Sequence, residues 1–179
     1  MREWLSMAGR APVLLVLGFL TLPVVMPGSA TAQGRLRTGE ARLLREAAAR
    51  ESRGDYAGAE EALRRLLDES PGSSGGIFAL ERVLRAQGDV VELLPSIDAF
   101  LEVDPSSPGV RSLALRVLVD VDSLEAVRDH AEAWIELDPR AEVAYREIAR
   151  VYRDAFGVAE ARGVLEEGRA ALGDDEAFA

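Results

Sequence analysis

Arginine recurs at a fixed spacing between residues 82 and 150 of this chain of 179 residues. Arg82, Arg116 and Arg150 follow one another at equal intervals. A guanidinium group presents a planar fork of N–H donors, which matches the two oxygens of a carboxylate. If the fold stacks these three residues side by side, they form a surface that binds an acidic or carboxylate-bearing segment of a partner protein.

Three further arginines extend the same candidate surface. Arg85 and Arg153 lie about one helical turn after Arg82 and Arg150, and Arg146 lies one turn before Arg150. Together with Arg82, Arg116 and Arg150, these three residues make up the predicted peptide-binding set of six arginines.

A second interpretation is that these arginines form ordinary ion pairs on solvated helix faces. Glu81 precedes Arg85 by four residues, and Glu142 precedes Arg146 by four. Such pairs stabilise a helix by only about 0.3–0.5 kcal/mol each and need no functional explanation. The sequence leaves both interpretations open.

The composition excludes most catalytic and metal chemistry. The chain has no Cys, so it has neither a thiol nucleophile nor a thiolate zinc site, and its one imidazole is that of His130. We interpret His130 as a partly packed helix residue, because no catalytic partner is evident for it. We therefore predict a non-enzymatic protein with no catalytic residues, no metal site and no cofactor.

The charge balance narrows the choice of partners. Asp and Glu number 31 against 21 basic residues, all of them Arg, and the formal net charge is −10. Such an acidic chain is a poor ligand for nucleic acid or for anionic lipid. The expected partner is a protein or peptide.

The positions of prolines, glycines and apolar residues reveal an internal repeat. Pro71, Pro105 and Pro139 are equally spaced, and the same interval separates Gly54 from Gly88. This repeat period is the one that separates the three arginines. A repeat of this length is one supersecondary unit, which buries its apolar face by stacking on its neighbours. The apolar columns with the same period are Leu63, Ile97, Ala131 and Leu165; Leu66, Phe100 and Trp134; Leu67, Leu101 and Ile135; and Ala49, Val83, Val117 and Val151.

Each unit has the apolar spacing of two helices, so we predict eight helices in four antiparallel pairs. We call the first helix of each pair inner and the second outer. The predicted inner helices are Glu40–Arg53, Gly76–Gln87, Pro108–Val121 and Arg140–Ala155. The predicted outer helices are Tyr56–Glu69, Val90–Val103, Ser123–Leu137 and Val158–Leu172. Phe100 and Trp134 are expected in the core between helices.

Local signals mark where these helices begin and end. Gly54 and Gly88 lie where the chain must reverse between two helices. Asp122, followed by Glu125, resembles a capping box. Pro95 falls inside the second outer helix and is expected to kink or delay it.

The repeat resembles a known family. The stretch Gly54–Leu63, GDYAGAEEAL, with the closing Pro71, looks like the second half of a tetratricopeptide repeat. The resemblance covers residues 40–175 as four repeats, 40–73, 74–107, 108–141 and 142–175, although Glu81 and Leu115 stand where the family prefers small residues. A related helical-repeat class with the same architecture is the alternative.

The resemblance implies an all-α superhelix of four helix pairs that binds a peptide or protein in a concave groove lined by the inner helices. It also implies a non-catalytic protein. The family's clamp for C-terminal carboxylates uses Lys and Asn, and this chain contains neither residue. No clamp residues are therefore transferred to it.

Charge is divided between the two sets of helices. Each predicted inner helix has a net charge of +1. The outer helices counted with their flanking residues have −3, −5, −5 and −1, for the segments Asp55–Ser70, Asp89–Asp104, Asp122–Asp138 and Gly157–Leu172. The groove is thus expected to be weakly basic in an acidic molecule, which agrees with an acidic partner.

The N-terminus has the order of a secretory signal peptide. Arg2 and Arg10 precede an apolar run, which is followed by the small residues Ala30-Thr31-Ala32. We predict a signal peptide at 1–32, a linker at 33–39, and export to the periplasm or the extracellular space with no stable membrane insertion after cleavage. An uncleaved N-terminal anchor is the alternative.

The sequence as a whole predicts an exported protein–protein interaction or scaffold module. One alternative is that it forms the N-terminal recruiting part of a larger exported enzyme or complex subunit, and another is a self-assembling structural solenoid. Residues 176–179 are either a tail or the start of a further helix. The last repeat edge would then be covered by more chain, by a partner or by self-association.

Overall fold

In the computed structural model of the chain, the described residues are 28–174 and 177–178. They form eight α-helices and a short 3-10 segment in four antiparallel pairs, with no strand among them. Residues 1–27 of the predicted signal peptide lie outside the described residues, as do 175, 176 and 179. The helices are α1 Gly28–Glu51, α2 Tyr56–Glu69, α3 Ser74–Gln87, α4 Leu94–Val103, α5 Pro108–Asp120, α6 Leu124–Leu137, α7 Glu142–Ala155 and α8 Val158–Leu172.

The observed helices follow the predicted pairs closely. The bounds of α2 and α8 coincide with those predicted, whereas α1 begins at Gly28 and so includes residues 33–39, which were predicted as a linker. Val90–Leu93 forms a 3-10 segment and Pro95 lies in the first turn of α4, which confirms the predicted delay. Proline is tolerated there because the first N–H groups of a helix have no partner within it.

The turns between paired helices use a left-handed residue. Gly54 and Gly88 have φ values of +75° and +87°, and Asp122, one repeat period after Gly88, has φ +56°. The predicted capping box at Asp122 is therefore wrong. Asp122 takes the glycine position, and Ser123 is the residue before α6, without a side-chain cap.

The core consists of two apolar clusters that meet at α5. Leu113 and Val117 belong to the cluster built with α1–α4, whereas Leu115 and Leu118 of the same helix belong to the cluster built with α6–α8. A helix that contacts both clusters must be apolar on most of its surface, as this one is.

Most residues of the predicted columns lie in or against these clusters, but Ala49 is exposed, so its predicted place in an apolar column is wrong. Phe100 and Trp134 are each 2% exposed, which confirms their predicted place in the core. Leu115 is fully buried in the second cluster, so its size is used in packing.

The N-terminal edge of the array is polar. Glu46 occupies the position at which the later inner helices carry Leu80, Ala114 and Ile148, all fully buried. Arg42, Arg50 and Arg65 surround the Glu46 carboxylate at N–O distances of 3.5, 3.0 and 3.2 Å. Repeat arrays need such a polar outer face at an end exposed to water.

None of the helices in the described range has the length and apolar content that crossing a membrane requires.

Candidate functional site

The inner helices α1, α3, α5 and α7 lie side by side and form one continuous surface, which we call the inner surface. Side chains join each neighbouring pair. Arg82 of α3 binds Glu51 of α1, and Arg85 of α3 binds Asp120 at the end of α5. The Ser112 hydroxyl of α5 donates to Glu147 of α7 at 2.7 Å.

Arg82 is held by a two-pronged ion pair. Its Nε and Nη2 atoms donate to the two carboxylate oxygens of Glu51, each at 2.7 Å. These hydrogen bonds lower the pKa of Glu51 below its usual value and raise that of Arg82. Arg82 is therefore occupied by a carboxylate of the chain itself.

Arg85 bridges two carboxylates. Its Nη1 lies 2.7 Å from Asp120 Oδ2 and its Nε lies 3.0 Å from Glu81 Oε1. The hydrogen bond to Asp120, followed by that to Glu81, raises the pKa of Arg85. The Glu81–Arg85 helix pair predicted as the alternative is thus present.

Arg150 is part of a polar cluster with Glu147 and Ser112. Its Nη2 donates to Glu147 Oε2 at 2.6 Å and to the Ser112 oxygen at 3.2 Å. The Ser112 hydroxyl and then Arg150 lower the pKa of Glu147, although its partial burial opposes this. Ser112 is almost fully buried, and the sequence did not indicate its role, since a lone serine between Arg111 and Leu113 gives no signal.

Arg116 differs from the other five predicted arginines. It is half-buried near the middle of the inner surface, and its guanidinium makes no hydrogen bond or ion pair within residues 38–174 or 177–178. Its charge acts on Glu147 only through space, as the weakest cause of the lowered pKa of that carboxylate. It lies between two cavities and lines both of them. Its donors therefore face the space that a bound segment would occupy.

The two cavities beside Arg116 differ in character. One, of about 490 Å³, is charged and is lined by Arg85, Asp120 and Arg150 among others. The other, of about 300 Å³, has Phe78, Pro108 and Val143 in its walls, and Phe78 and Val143 are exposed. The apolar cavity was not predicted, although Phe78 and Val143 are apolar residues on the solvent side of helices.

Arg146 and Arg153 lie further along, at the last helix pair. Arg146 binds Glu142, as the alternative interpretation predicted, and Arg153 Nε lies 3.0 Å from Oδ1 of the adjacent Asp154. With Arg150 they line a larger cleft between α7 and α8. The structure thus divides the six arginines between the middle of the inner surface and its C-terminal end.

His130 is half-buried on α6, as expected. Within the described ranges, no three His, Asp or Glu side chains are placed to hold a metal ion.

Comparison with solved structures shows which fold this is. The chain is similar to the crystal structure of MamA protein, with a TM-score of 0.52 and 18% identity over 75% of this chain and 74% of that one. It is also similar to the crystal structure of a tetratricopeptide repeat protein from Parabacteroides merdae ATCC 43184, with a TM-score of 0.52 and 15% identity over 78% of this chain and 56% of that one. The fold is that of a tetratricopeptide-repeat solenoid.

At these identities the similarity concerns the fold alone. No protein-family model and no curated protein sequence matches the chain. A fold by itself does not assign a function, so the role of this chain depends on its own residues.

Proposed function

We propose that this protein is an exported, non-catalytic interaction module, and that its inner surface binds a segment of another protein through one carboxylate and an adjacent apolar side chain. Arg116 receives the carboxylate. The cavity beside Phe78 and Val143 receives the apolar side chain.

The observation that carries this proposal is that Arg116 is half-buried but makes no hydrogen bond or ion pair within the described side chains. A half-buried guanidinium loses part of its hydration, and five N–H donors favour a planar acceptor in return. The neighbouring arginines cannot serve equally well, because carboxylates of the chain already neutralise them. Displacing Glu51 from Arg82, for example, would break two hydrogen bonds to gain two.

Because only Arg116 among these arginines is unpaired within the described part of the chain, the charge pattern also limits how many carboxylates the partner segment can carry. A long acidic tract would meet Glu81, Asp120 and Glu147 as well as the arginines, and like charges would repel it. A segment with a single carboxylate close to a Leu, Ile or Phe side chain fits the two cavities better.

The test uses peptides selected on the full-length protein from a random displayed library. We expect the selected peptides to share one Asp or Glu beside an apolar residue. Their affinity should fall about tenfold for Arg116→Glu, a loss of roughly 1.4 kcal/mol. Arg53→Glu is the matched control, since Arg53 is exposed at the end of α1 and outside both cavities. Equal affinity for the two variants would contradict the proposal.

Export is the second part of the proposal. It is supported by the charged, apolar and small-residue order of residues 1–32. N-terminal sequencing of protein recovered from the native envelope fraction should begin at Gln33, and an intact Met1 in that fraction would contradict cleavage.

A further inference from the structure

The C-terminal end of the solenoid carries a cleft of about 810 Å³ between α7 and α8. In the earlier outer helices, Leu63, Ile97 and Ala131 are at most 1% exposed. Leu165 holds the same repeat position in α8, yet it is only half-buried and lines the cleft. The apolar floor of the last pair is therefore incompletely covered.

Phe178 covers one end of this floor. It lies one repeat period after Ala144, a residue of the first turn of an inner helix. Its ring packs edge-on against Tyr145 with centroids 6.4 Å apart, and the Arg146 guanidinium lies 5.9 Å from its centroid. Arg169 Nε also donates to the carbonyl of the preceding residue at 2.8 Å. Phe178 thus stands where the first turn of a fifth inner helix would pack.

The packing partner of Phe178 shows that this place is built for an aromatic side chain. A β-carbon on Gly168 of α8 would lie 2.7 Å from Tyr145 Cγ and 2.9 Å from Phe178 Cε2, so only glycine leaves room for both rings. At the first junction the arrangement is reversed, since a β-carbon on Gly76 would lie 2.6 Å from Leu66 Cδ2. The glycine thus belongs to the inner helix at the first junction and to the outer helix at the last.

The exchange is visible as two columns of the repeat. The outer-helix column is Leu66, Phe100, Trp134 and Gly168, and the inner-helix column is Gly76, Val110, Ala144 and Phe178. Each junction combines a larger and a smaller side chain, which is how close-packed interiors keep their volume constant. Gly168 therefore forms a notch that an aromatic side chain fills.

The rim of the cleft is positively charged. Its lining contains five arginines, Arg146, Arg150, Arg153, Arg162 and Arg169, against Glu147 and Glu166. Arg162 is exposed and has no hydrogen-bond or ion-pair partner within the described ranges. The C-terminal end is therefore locally basic, although the molecule as a whole is acidic.

Charge also argues against a second copy of the chain as the occupant. The opposite edge of the solenoid presents Arg42, Arg50 and Arg65 around Glu46, and Asp55 lies 3.7 Å from Arg50, so arginines outnumber carboxylates in this cluster. Head-to-tail stacking would bring that edge against the arginine rim, and a symmetric contact between two C-terminal ends would oppose two such rims. Both arrangements place like charges together.

We propose that this cleft binds an acidic amphipathic helix of another protein, as a surface distinct from the middle of the inner surface. An aromatic residue of that helix takes the Gly168 notch from Phe178, its apolar face covers Leu165, and one of its carboxylates faces Arg162. Phe178 in this chain is then an intramolecular competitor for the notch.

The test uses a synthetic helix with the sequence of α5 as its starting point, because α5 packs on the preceding pair through Val110. The probe is residues 108–121 with Val110→Phe and both arginines changed to Glu, and the control peptide has Val110→Phe alone. Binding to the full-length protein is measured by fluorescence anisotropy. The acidic probe should bind about tenfold more tightly than the control, and Arg162→Glu should remove most of that difference.

Two further variants separate this surface from the others. Phe178→Ala should bind the probe several-fold more tightly, because the competitor is gone, whereas Arg116→Glu should bind it unchanged. Arg162 is exposed, so its substitution leaves folding intact even if Phe178→Ala does not. Equal binding of the two peptides, loss of binding in Arg116→Glu but not in Arg162→Glu, or dimerisation of Phe178→Ala in sedimentation would each overturn the proposal.

Discussion

Gly88 and Gly163 both have open space where a β-carbon would lie, but their backbones differ. Gly88 ends α3 with φ +87°, whereas Gly163 lies inside α8 without a positive φ. Gly88→Ala should destabilise the protein by about 1–2 kcal/mol, the usual cost of the left-handed conformation. Gly163→Ala should stabilise it by about 0.5–1 kcal/mol, because alanine is the better helix former.

Urea denaturation of both variants measures the two free energies of unfolding directly. Neither alanine meets a neighbouring atom, so the opposite signs isolate the backbone from packing. Two changes of the same sign would show that the turn after α3 relaxes when Gly88 is replaced.

The sequence predicted only part of the pairing of the arginine side chains. The pairs Glu81–Arg85 and Glu142–Arg146 follow from the four-residue spacing within one helix. The partners of Arg82 on α1 depend on how far neighbouring inner helices are offset, and the repeat period alone does not give that offset. The free state of Arg116 is likewise visible only once its neighbours are placed.

At the level of helices, the repeat period predicted the pairs well, because proline and glycine mark the ends and the apolar columns mark the faces. The prediction of helix ends failed where a residue takes a backbone conformation that its type does not suggest, or where a helix starts later than its cap signal. Asp122 has the composition of a cap but takes the left-handed turn position. Ala141 precedes α7, so this helix begins two residues later than predicted, at Glu142.

The ion pair between Glu51 and Arg82 links α1 to α3 and should be sensitive to pH. Because Arg82 lowers the pKa of Glu51 in the folded state, the pair stabilises the protein above the ordinary value of 4.5 and is lost as the pH falls through the lowered pKa. Glu51→Gln should therefore cost about 0.2–1 kcal/mol at pH 7, and progressively less as the pH falls below 4.5.

Urea titrations at several pH values between 7 and 3 measure that difference. Glu61→Gln removes an exposed carboxylate without an ion-pair partner in the described part of the chain, so its effect should not follow the same curve. A cost for Glu51→Gln that does not shrink at all as the pH falls from 7 to 3 would contradict a contribution from the Glu51 charge.

On the scale of the whole molecule, the two core clusters predict that a core substitution will destabilise the helices of its own cluster more than those of the other. Ile77 of α3 belongs to the first cluster and Ile148 of α7 to the second, and both are fully buried. Ile→Val at either site costs about 0.5–1.5 kcal/mol, mild enough to keep the fold. Nearest-neighbour coupling in repeat arrays should confine most of each effect to its own cluster.

Hydrogen exchange followed by mass spectrometry reports both regions at once. Ile77→Val should speed exchange mainly in α1–α4, and Ile148→Val mainly in α6–α8, each by about 2- to 12-fold for the stated cost. Uniform acceleration along the chain in either variant would show that α5 couples the two clusters into one cooperative unit.

The polar edge around Glu46 has a consequence for the order in which the chain matures. Synthesis proceeds from the N-terminus, and domains generally fold in that order. When α1 and α2 have emerged, one side of the pair already carries the ion pairs of Glu46 and tolerates water. Only the side that receives α3 is still apolar, so each later helix pair adds to that apolar side of the array.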